Sequence, residues 1–123
     1  MKIDRIEKDG MKIAVVNSNE KVITNAQSAL DLLATAKYEA GSDRIVISKE
    51  NIEDAFFILS TGLAGEVLQK FVNYHGKIAI YGDFSRYTSK PLKDFIYESN
   101  RGKDVFFVSS KEEAAERLAN CRE

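Results

Sequence analysis

The chain has 123 residues, of which 44% are hydrophobic and 30% charged, and its 18 basic and 19 acidic residues give a formal net charge of -1. This composition excludes a disordered chain and a strongly basic or acidic one, and the length favours a single domain over residues 1–123. One Cys and one His exclude an internal disulfide and a His/Cys zinc site, so we expect no metal and a reducing compartment.

The N-terminal segment predicts a β-hairpin. Residues 2–7 alternate weakly between charged and apolar side chains, residues 12–16 form a second apolar run, and Asp9-Gly10 lies between them. Asp-Gly between two such runs is a hairpin signal because Gly adopts a positive φ without steric cost. We expect these two strands to pair antiparallel at an edge of a sheet.

The rest of the chain alternates between helices and strands. Thr24 and Gln27 fit a capping box, with Thr24 as the N-cap of a helix that ends at Gly41. A β-branched run over residues 44–47 predicts the third strand. The elements that follow are a helix from about Ser60-Thr61 to His75, a strand over residues 77–81, a helix from Ser89 to Gly102, a strand over residues 104–108 and a terminal helix opened by a capping box of Ser110 and Glu113.

This element order, β-β-α-β-α-β-α-β-α, predicts an α/β domain. Strands that alternate with helices imply parallel pairing through right-handed crossovers. The runs over residues 45–47 and 105–108 are apolar throughout, which is typical of central strands covered on both faces. We therefore predict a mixed five-stranded sheet with an N-terminal hairpin and about four helices.

The same order resembles the STAS fold, the sulphate transporter and anti-sigma-factor antagonist domain. Bacterial anti-sigma-factor antagonists carry a segment similar to Asp-Ser-Ser-Gly-Leu-Gly at the start of the helix after the third strand. Here Leu59-Ser60-Thr61-Gly62-Leu63-Ala64-Gly65 falls at that place, with Leu59 in the position of the acidic residue. In that family the second hydroxyl residue is phosphorylated by a partner kinase, which switches binding off. The resemblance thus implies a single STAS-like domain with Thr61 as a phosphorylation site.

Three segments also resemble the bacterial domain-of-unknown-function family 4180. They occur in the same order along the chain and cover residues 27–32, residues 59–66 and residues 82–90. This resemblance implies a small bacterial protein and carries no activity with it.

The first candidate site consists of Ser60, Thr61 and Gly62. We expect it at a helix N-terminus, where free N–H groups and the helix dipole favour an anion or a phosphorylated hydroxyl. An ordinary N-cap explains the same residues without any ligand. Gly62 and Gly65 would share one helical face at a cost of roughly 1 kcal/mol each, which indicates a close approach of another element or of a partner.

The second candidate site is the polar segment from Asp83 to Lys90. It follows the carboxyl end of a strand, where open α/β sheets bind ligands. Arg86 can bind a carboxylate or phosphate through two hydrogen bonds, with Asp83 orienting it, while Ser85 and Tyr87 add a hydroxyl and an aromatic ring. The plainer alternative is a solvated loop in which Asp83 pairs with Arg86.

These observations favour a non-enzymatic STAS-like interaction module with a regulatory role and an unidentified protein partner. Its predicted binding surface comprises residues 60–65 and residues 83–90, and no catalytic residue or cofactor is assigned. One alternative is a small anionic-ligand binder or an enzyme that uses the Asp83–Lys90 loop. Another is a homodimer built on an exposed apolar face.

Two further classes of partner are not expected. Acidic residues interleave with the basic residues around Arg86, so the chain lacks the dominant basic face that nucleic-acid binding requires. The longest uncharged run, residues 55–65, is too short to span a bilayer, and the N-terminus does not form an apolar leader. We therefore expect a cytoplasmic protein that contacts neither nucleic acid nor membrane.

Overall fold

A computed structural model describes residues 1–121, which form one five-stranded mixed sheet with four α-helices. The strands are β1 (Lys2–Lys8), β2 (Met11–Asn17), β3 (Arg44–Ser48), β4 (Lys77–Tyr81) and β5 (Val105–Val108). The helices are α1 (Ala26–Ala40), α2 (Leu63–Asn73), α3 (Lys90–Arg101) and α4 (Lys111–Asn120). The predicted α/β class and the order of the elements are confirmed.

The sheet order is the chain order, β1-β2-β3-β4-β5, so the prediction of a central strand is confirmed for β3 and wrong for β5, which is an edge strand buried by the helices around it. β1 pairs antiparallel with β2, and all later pairs are parallel. Right-handed crossovers that always step in one direction place their helices on one face. Accordingly α1, α2 and α3 share one buried cluster with residues such as Ile45, Ile47 and Ile80, while α4 packs with Val46, Ala79 and Phe106 on the other face.

The predicted hairpin is present. Asp9 (φ 52°) and Gly10 (φ 83°) form the turn, and Lys8 is paired with Met11 across it. Positive φ at both central residues defines a type I′ turn, whose twist matches that of the flanking strands. Because β1 pairs with β2 and is first in the sheet order, it is an outermost strand of the sheet.

Two helix starts differ from the prediction. The N-cap of α1 is Asn25 and not Thr24, because the Asn25 side chain accepts from the Ser28 N–H at 2.8 Å and Ser28 Oγ accepts from the Asn25 N–H at 3.0 Å. Gln27 instead donates to Asp31 along the helix. α2 begins at Leu63, so Ser60 and Thr61 precede the helix and lie in a 3-10 turn.

The C-terminus of α2 explains an unusual left-handed residue. His75 adopts φ 61°, the Gly76 N–H bonds to the Phe71 carbonyl at 2.8 Å, and the His75 N–H bonds to the Val72 carbonyl at 3.2 Å, which together form a Schellman motif. At the next position a Cβ on Gly76 would lie 2.9 Å from Leu33 Cδ1 and 3.0 Å from Phe71 Cδ2, so a larger residue there would have to displace these side chains. This end of α2 therefore packs tightly against α1.

Candidate functional site

The two predicted polar segments meet at one surface groove. β3 and β4 are parallel neighbours, so the segments that follow them leave the sheet at the same edge. Between these segments lies a groove of about 500 Å³, which we call the Arg86 groove. Its apolar lining is Phe57, Ile58, Leu59, Tyr87, Pro91 and Leu92, and its polar lining is Asp54, Ser60, Arg86, Thr88 and Ser89.

The groove does not lie at a reversal of strand order. Doubly wound sheets bind ligands where the order reverses and neighbouring loops separate. In residues 1–121 the strands follow one another without reversal, and the crossovers from β2 to β5 all lie on one face. The groove is formed instead by the loop after β4, the 3-10 turns after β3, and the start of α3.

Aromatic packing shapes one wall, the loop wall, which comprises residues 82–89. The Tyr87 ring stacks on Phe57 with the centroids 5.3 Å apart and an interplanar angle of 13°. Phe84 contacts Phe107 edge to face at 5.5 Å and packs against the main core cluster. Phe84 therefore packs against the core and does not line the groove, whereas Tyr87 both packs and lines it.

Asp83 and Ser85 form a local turn that faces away from the groove. Asp83 Oδ1 accepts from the Ser85 N–H at 2.9 Å and from the Ser85 hydroxyl at 2.5 Å. These bonds lower the pKa of the Asp83 carboxyl below its ordinary value, with smaller contributions from the positive charges of Arg86 and Lys49. Both residues line a separate depression of about 550 Å³ beside Glu113.

Arg86 is the exposed cation of the groove. Its guanidinium forms no hydrogen bond and no ion pair with any other side chain or backbone group of residues 1–121, so the alternative in which Asp83 pairs with it is wrong. Next to it lies the N-terminus of α3. Ser89 is the N-cap of this helix, and its hydroxyl accepts from the Leu92 N–H at 3.4 Å. A free guanidinium beside a helix N-terminus is suited to binding a carboxylate or phosphate.

The other wall, the turn wall, comprises residues 54–62 and contains the first predicted site. Ser60 is exposed and lines the groove. The exposed Thr61 hydroxyl is shared between the Ala55 carbonyl at 2.7 Å and the Ile58 carbonyl at 2.9 Å, and it accepts weakly from the Leu63 N–H at 3.3 Å. Thr61 thus links the turn wall to the first N–H of α2.

Gly62 and Gly65 differ from the expectation of close packing. Gly62 is the residue before α2 and has φ 82°, a conformation that glycine adopts without strain. A Cβ at Gly62 or at Gly65 would meet no atom of residues 1–121 within 4 Å. The approach of a neighbouring element is therefore wrong as an explanation, and backbone conformation accounts for Gly62 alone.

Sequence reasoning missed Lys49 and Ile58. Lys49 lies over the Tyr87 ring at 5.3 Å, and its aliphatic chain lies against Gly82. Burial disfavours the charge on Lys49, but Tyr87 and Glu50 favour it and together raise the pKa of Lys49. Ile58 is 55% exposed on the groove. Parallel pairing of β3 and β4 was the available signal, because it predicts that the segments after both strands meet.

The remaining reactive groups lie far from the groove. His75 follows α2 and Cys121 follows α4, both at the end of the sheet where β4 and β5 begin. The Cys121 thiol donates to the Lys103 carbonyl at 2.7 Å and is buried, so it belongs to the second core cluster. Among residues 1–121 no group of three or more His, Cys, Asp and Glu is arranged to hold a metal ion, and no helix is long and apolar enough to cross a membrane.

Fold and groove together define a small α/β domain with a surface groove at the carboxyl edge of a largely parallel sheet. The chain matches the family model described as Domain of unknown function (DUF4180) over residues 8–118. Because the match covers most of the chain, the protein belongs to this family. No curated protein and no solved structure matches the chain.

Proposed function

We propose that this protein is a non-enzymatic interaction module whose Arg86 groove binds an acidic, partly apolar segment of a protein partner. The observation that carries the proposal is the Arg86 guanidinium, which has no partner within residues 1–121 and lies beside an apolar surface. An unpaired guanidinium provides several fixed donors for a carboxylate, and it is less strongly hydrated than an ammonium group. Arg and aromatic side chains, here Arg86 and Tyr87, are groups on which interfaces concentrate binding energy.

The apolar part of the groove supports a peptide as the ligand. Ile58 is 55% exposed, and Leu59 and Pro91 continue the apolar surface on both sides of the groove. Burial of such a surface stabilises a complex in proportion to the apolar area removed from water. A partner segment with an acidic residue next to a large apolar one would use both halves of the groove.

The proposal also includes a STAS-like regulatory role, with Thr61 as the modified residue. A phosphate on Thr61 would remove the hydroxyl hydrogen that the Ala55 and Ile58 carbonyls share, and would bring negative charge next to those oxygens. The turn wall would then rearrange and move Ile58. Phosphorylation would therefore weaken binding in the groove by changing its shape.

A peptide selection tests the groove. Random peptides are selected on the full chain, and the affinities of the selected peptides are measured by fluorescence anisotropy for the wild type, Arg86→Ala and Arg101→Ala. Arg101 is a matched control because it is an exposed arginine of α3 that packs on Tyr97 and does not line the groove. We expect Arg86→Ala to weaken binding roughly tenfold or more and Arg101→Ala to have little effect.

Several outcomes would overturn the proposal. Selected peptides without an acidic residue, or equal affinity for Arg86→Ala and the wild type, would remove Arg86 from the site. For the regulatory part, Thr61→Glu should weaken the same peptides more than Gln69→Glu does. Gln69 is an exposed residue of α2 that does not line the groove, whereas the Thr61 hydroxyl donates to two carbonyls of the turn wall. Equal effects of the two substitutions would reduce the role of Thr61 to one of surface charge.

A second candidate function is the binding of a small anion. The groove volume of about 500 Å³ lies within the range of small-molecule sites. Titration of the wild type and Arg86→Ala with inorganic phosphate and with succinate, followed by amide NMR shifts, tests this function. Saturable shifts around Arg86 and Ser89 that vanish in Arg86→Ala would favour the small anion over the peptide.

A further inference from the structure

The two edges of the sheet are finished differently. At the β5 edge the Asn100 side chain of α3 donates to the Phe107 carbonyl at 3.0 Å and accepts from the Phe107 N–H at 2.7 Å. Asn100 thus occupies the place of a further strand. At the other edge β1 pairs only with β2 within residues 1–121, and its register is regular from Lys2 to Lys8, without a bulge or a proline. An open edge is a template for another strand, but charged side chains like those of β1 oppose pairing with any strand whose charges do not complement them.

The hairpin determines which β1 groups face outward. Lys8 and Met11 flank the two-residue turn, so they form a hydrogen-bonded pair, and such pairs alternate along the hairpin with pairs that are not bonded. The backbone N–H and C=O groups of Ile3, Arg5 and Glu7 therefore point away from β2. An added strand would bond to these residues.

We propose that the added strand is β1 of a second copy of this chain, antiparallel and centred on Ile6. In this register Arg5 lies opposite the partner's Glu7, and Asp4 lies opposite the partner's Lys8. Arg5 and Glu7 both present outward-facing backbone groups, so each such pair would exchange both of its backbone hydrogen bonds. Ile6, which is 37% exposed, would meet the partner's Ile6 at the two-fold axis.

Charge selects this register over those centred on Asp4, Arg5 and Glu7, each of which opposes a charged residue to its own copy. A register centred on Ile3 also opposes Lys2 to the partner's Asp4, but it pairs only residues 1–5. A two-fold axis perpendicular to the sheet keeps every side chain on its own face, so only registers centred on a residue are allowed. Centring on Arg5 would oppose Arg5 to the partner's Arg5 and Lys2 to the partner's Lys8. Centring on Asp4 would oppose Asp4 to the partner's Asp4. Like charges directly opposite each other destabilise strand pairs, whereas opposite charges stabilise them.

The self-complementary order of charges also explains why the occupant is a second copy. An antiparallel copy of β1 opposes Arg5 to Glu7, Ile6 to Ile6 and Glu7 to Arg5, so each charge meets its opposite. An unrelated strand would have this complementary order of charges only by chance. The Arg86 groove lies at the carboxyl ends of β3 and β4, away from this edge. Dimer formation and groove binding can therefore be tested separately, and neither depends on the other.

Sedimentation velocity of the full chain tests the proposal. We expect the wild type to sediment as a dimer, while Arg5→Glu and Glu7→Arg each sediment as monomers. An equimolar mixture of the two variants should form a heterodimer, because each variant's β1 then meets opposite charges on the other. The double variant Arg5→Glu/Glu7→Arg should likewise regain the dimer. In a register centred on Arg5, by contrast, Glu7→Arg alone would leave the oligomeric state unchanged, because position 7 would lie opposite the partner's Ile3.

Controls keep the test independent of folding. Circular dichroism verifies that each variant is folded. This control is needed because Glu7→Arg replaces the carboxylate opposite Lys12 with a positive charge, which could destabilise the hairpin. If that variant unfolds, Ile6→Lys replaces it, because the exposed Ile6 side chain tolerates a polar substitution in the monomer. A wild type that stays monomeric at its highest soluble concentration would overturn the proposal. So would a variant mixture that fails to dimerise.

Discussion

The two walls of the Arg86 groove are held in place by different forces. The loop wall is fixed from beneath by aromatic contacts, with Tyr87 stacked on Phe57 and Phe84 against Phe107. The turn wall is held along its own backbone by 3-10 hydrogen bonds and by the Thr61 hydroxyl. Because aromatic contacts hold the loop wall, its conformation does not depend on a hydrogen bond from Arg86, and that side chain is free to bind a ligand. On the turn wall, by contrast, the Thr61 hydroxyl already donates to the Ala55 and Ile58 carbonyls.

The two walls should respond differently when a ligand binds in the groove. A wall shaped by the core presents its exposed groups in one geometry, which lowers the ordering cost of association. A wall shaped by a few exposed hydrogen bonds changes conformation at a lower cost, because such bonds contribute little net free energy. We therefore expect the loop wall to provide recognition and the turn wall to respond to modification.

The largest expected effect comes from removing an aromatic contact of the loop wall. Phe84→Ala deletes the contacts with Phe107, Phe57 and Tyr87 and should lower the free energy of unfolding by roughly 2–3 kcal/mol, somewhat below the cost of deleting a fully buried Phe. Urea denaturation followed by far-UV circular dichroism measures it, since the chain contains no Trp. Thr88→Ala on the same wall is the control and should change stability little. Equal stability of both variants would mean that the core does not hold this wall.

A smaller effect is expected on the turn wall. Thr61→Val keeps the shape of the side chain but removes the hydroxyl, and should cost about 1 kcal/mol, the usual net value of a hydrogen bond. The same denaturation measurement applies, with Ser60→Ala as the control because the neighbouring Ser60 lies on the same 3-10 turn. A loss as large as that of Phe84→Ala would contradict the distinction between the two walls.

The sequence predicted the sheet well because its signals are local. Asp9-Gly10 specifies a turn by its backbone preference, and β-branched runs specify buried strands wherever they occur. The crossover rule then orders these strands without knowledge of any tertiary contact. The family resemblance was confirmed over residues 8–118, whereas the likeness to the STAS fold stays a proposal.

The helix starts and the groove were harder to predict because tertiary contacts decide them. Thr24 and Asn25 are both good N-caps, but buried Ile23 forms a β-bridge with Ile52, and the helix begins after Asn25, whose extended backbone and side chain cap it. Burial of Phe56 and Phe57 likewise holds the chain before α2 in 3-10 turns and delays the helix to Leu63. Neither contact has a signal in the local sequence.

The smallest expected effect concerns Asp83, at the start of the loop wall. The Ser85 bonds lower its pKa, so the contribution of Asp83 to folding is complete above the unfolded pKa of about 3.9 and is lost as pH falls through the lower folded pKa. NMR titration of the Asp83 carboxyl carbon measures that pKa, which Ser85→Ala should raise toward its ordinary value, while Ser109→Ala, on the neighbouring strand end, should leave it unchanged. If Ser85→Ala left the Asp83 pKa low and Arg86→Ala raised it, Arg86 would be engaged with Asp83. The Arg86 guanidinium would then not be free to bind a ligand. The loop wall would be held by a polar contact, as the turn wall is, and the proposed function would lose its main support.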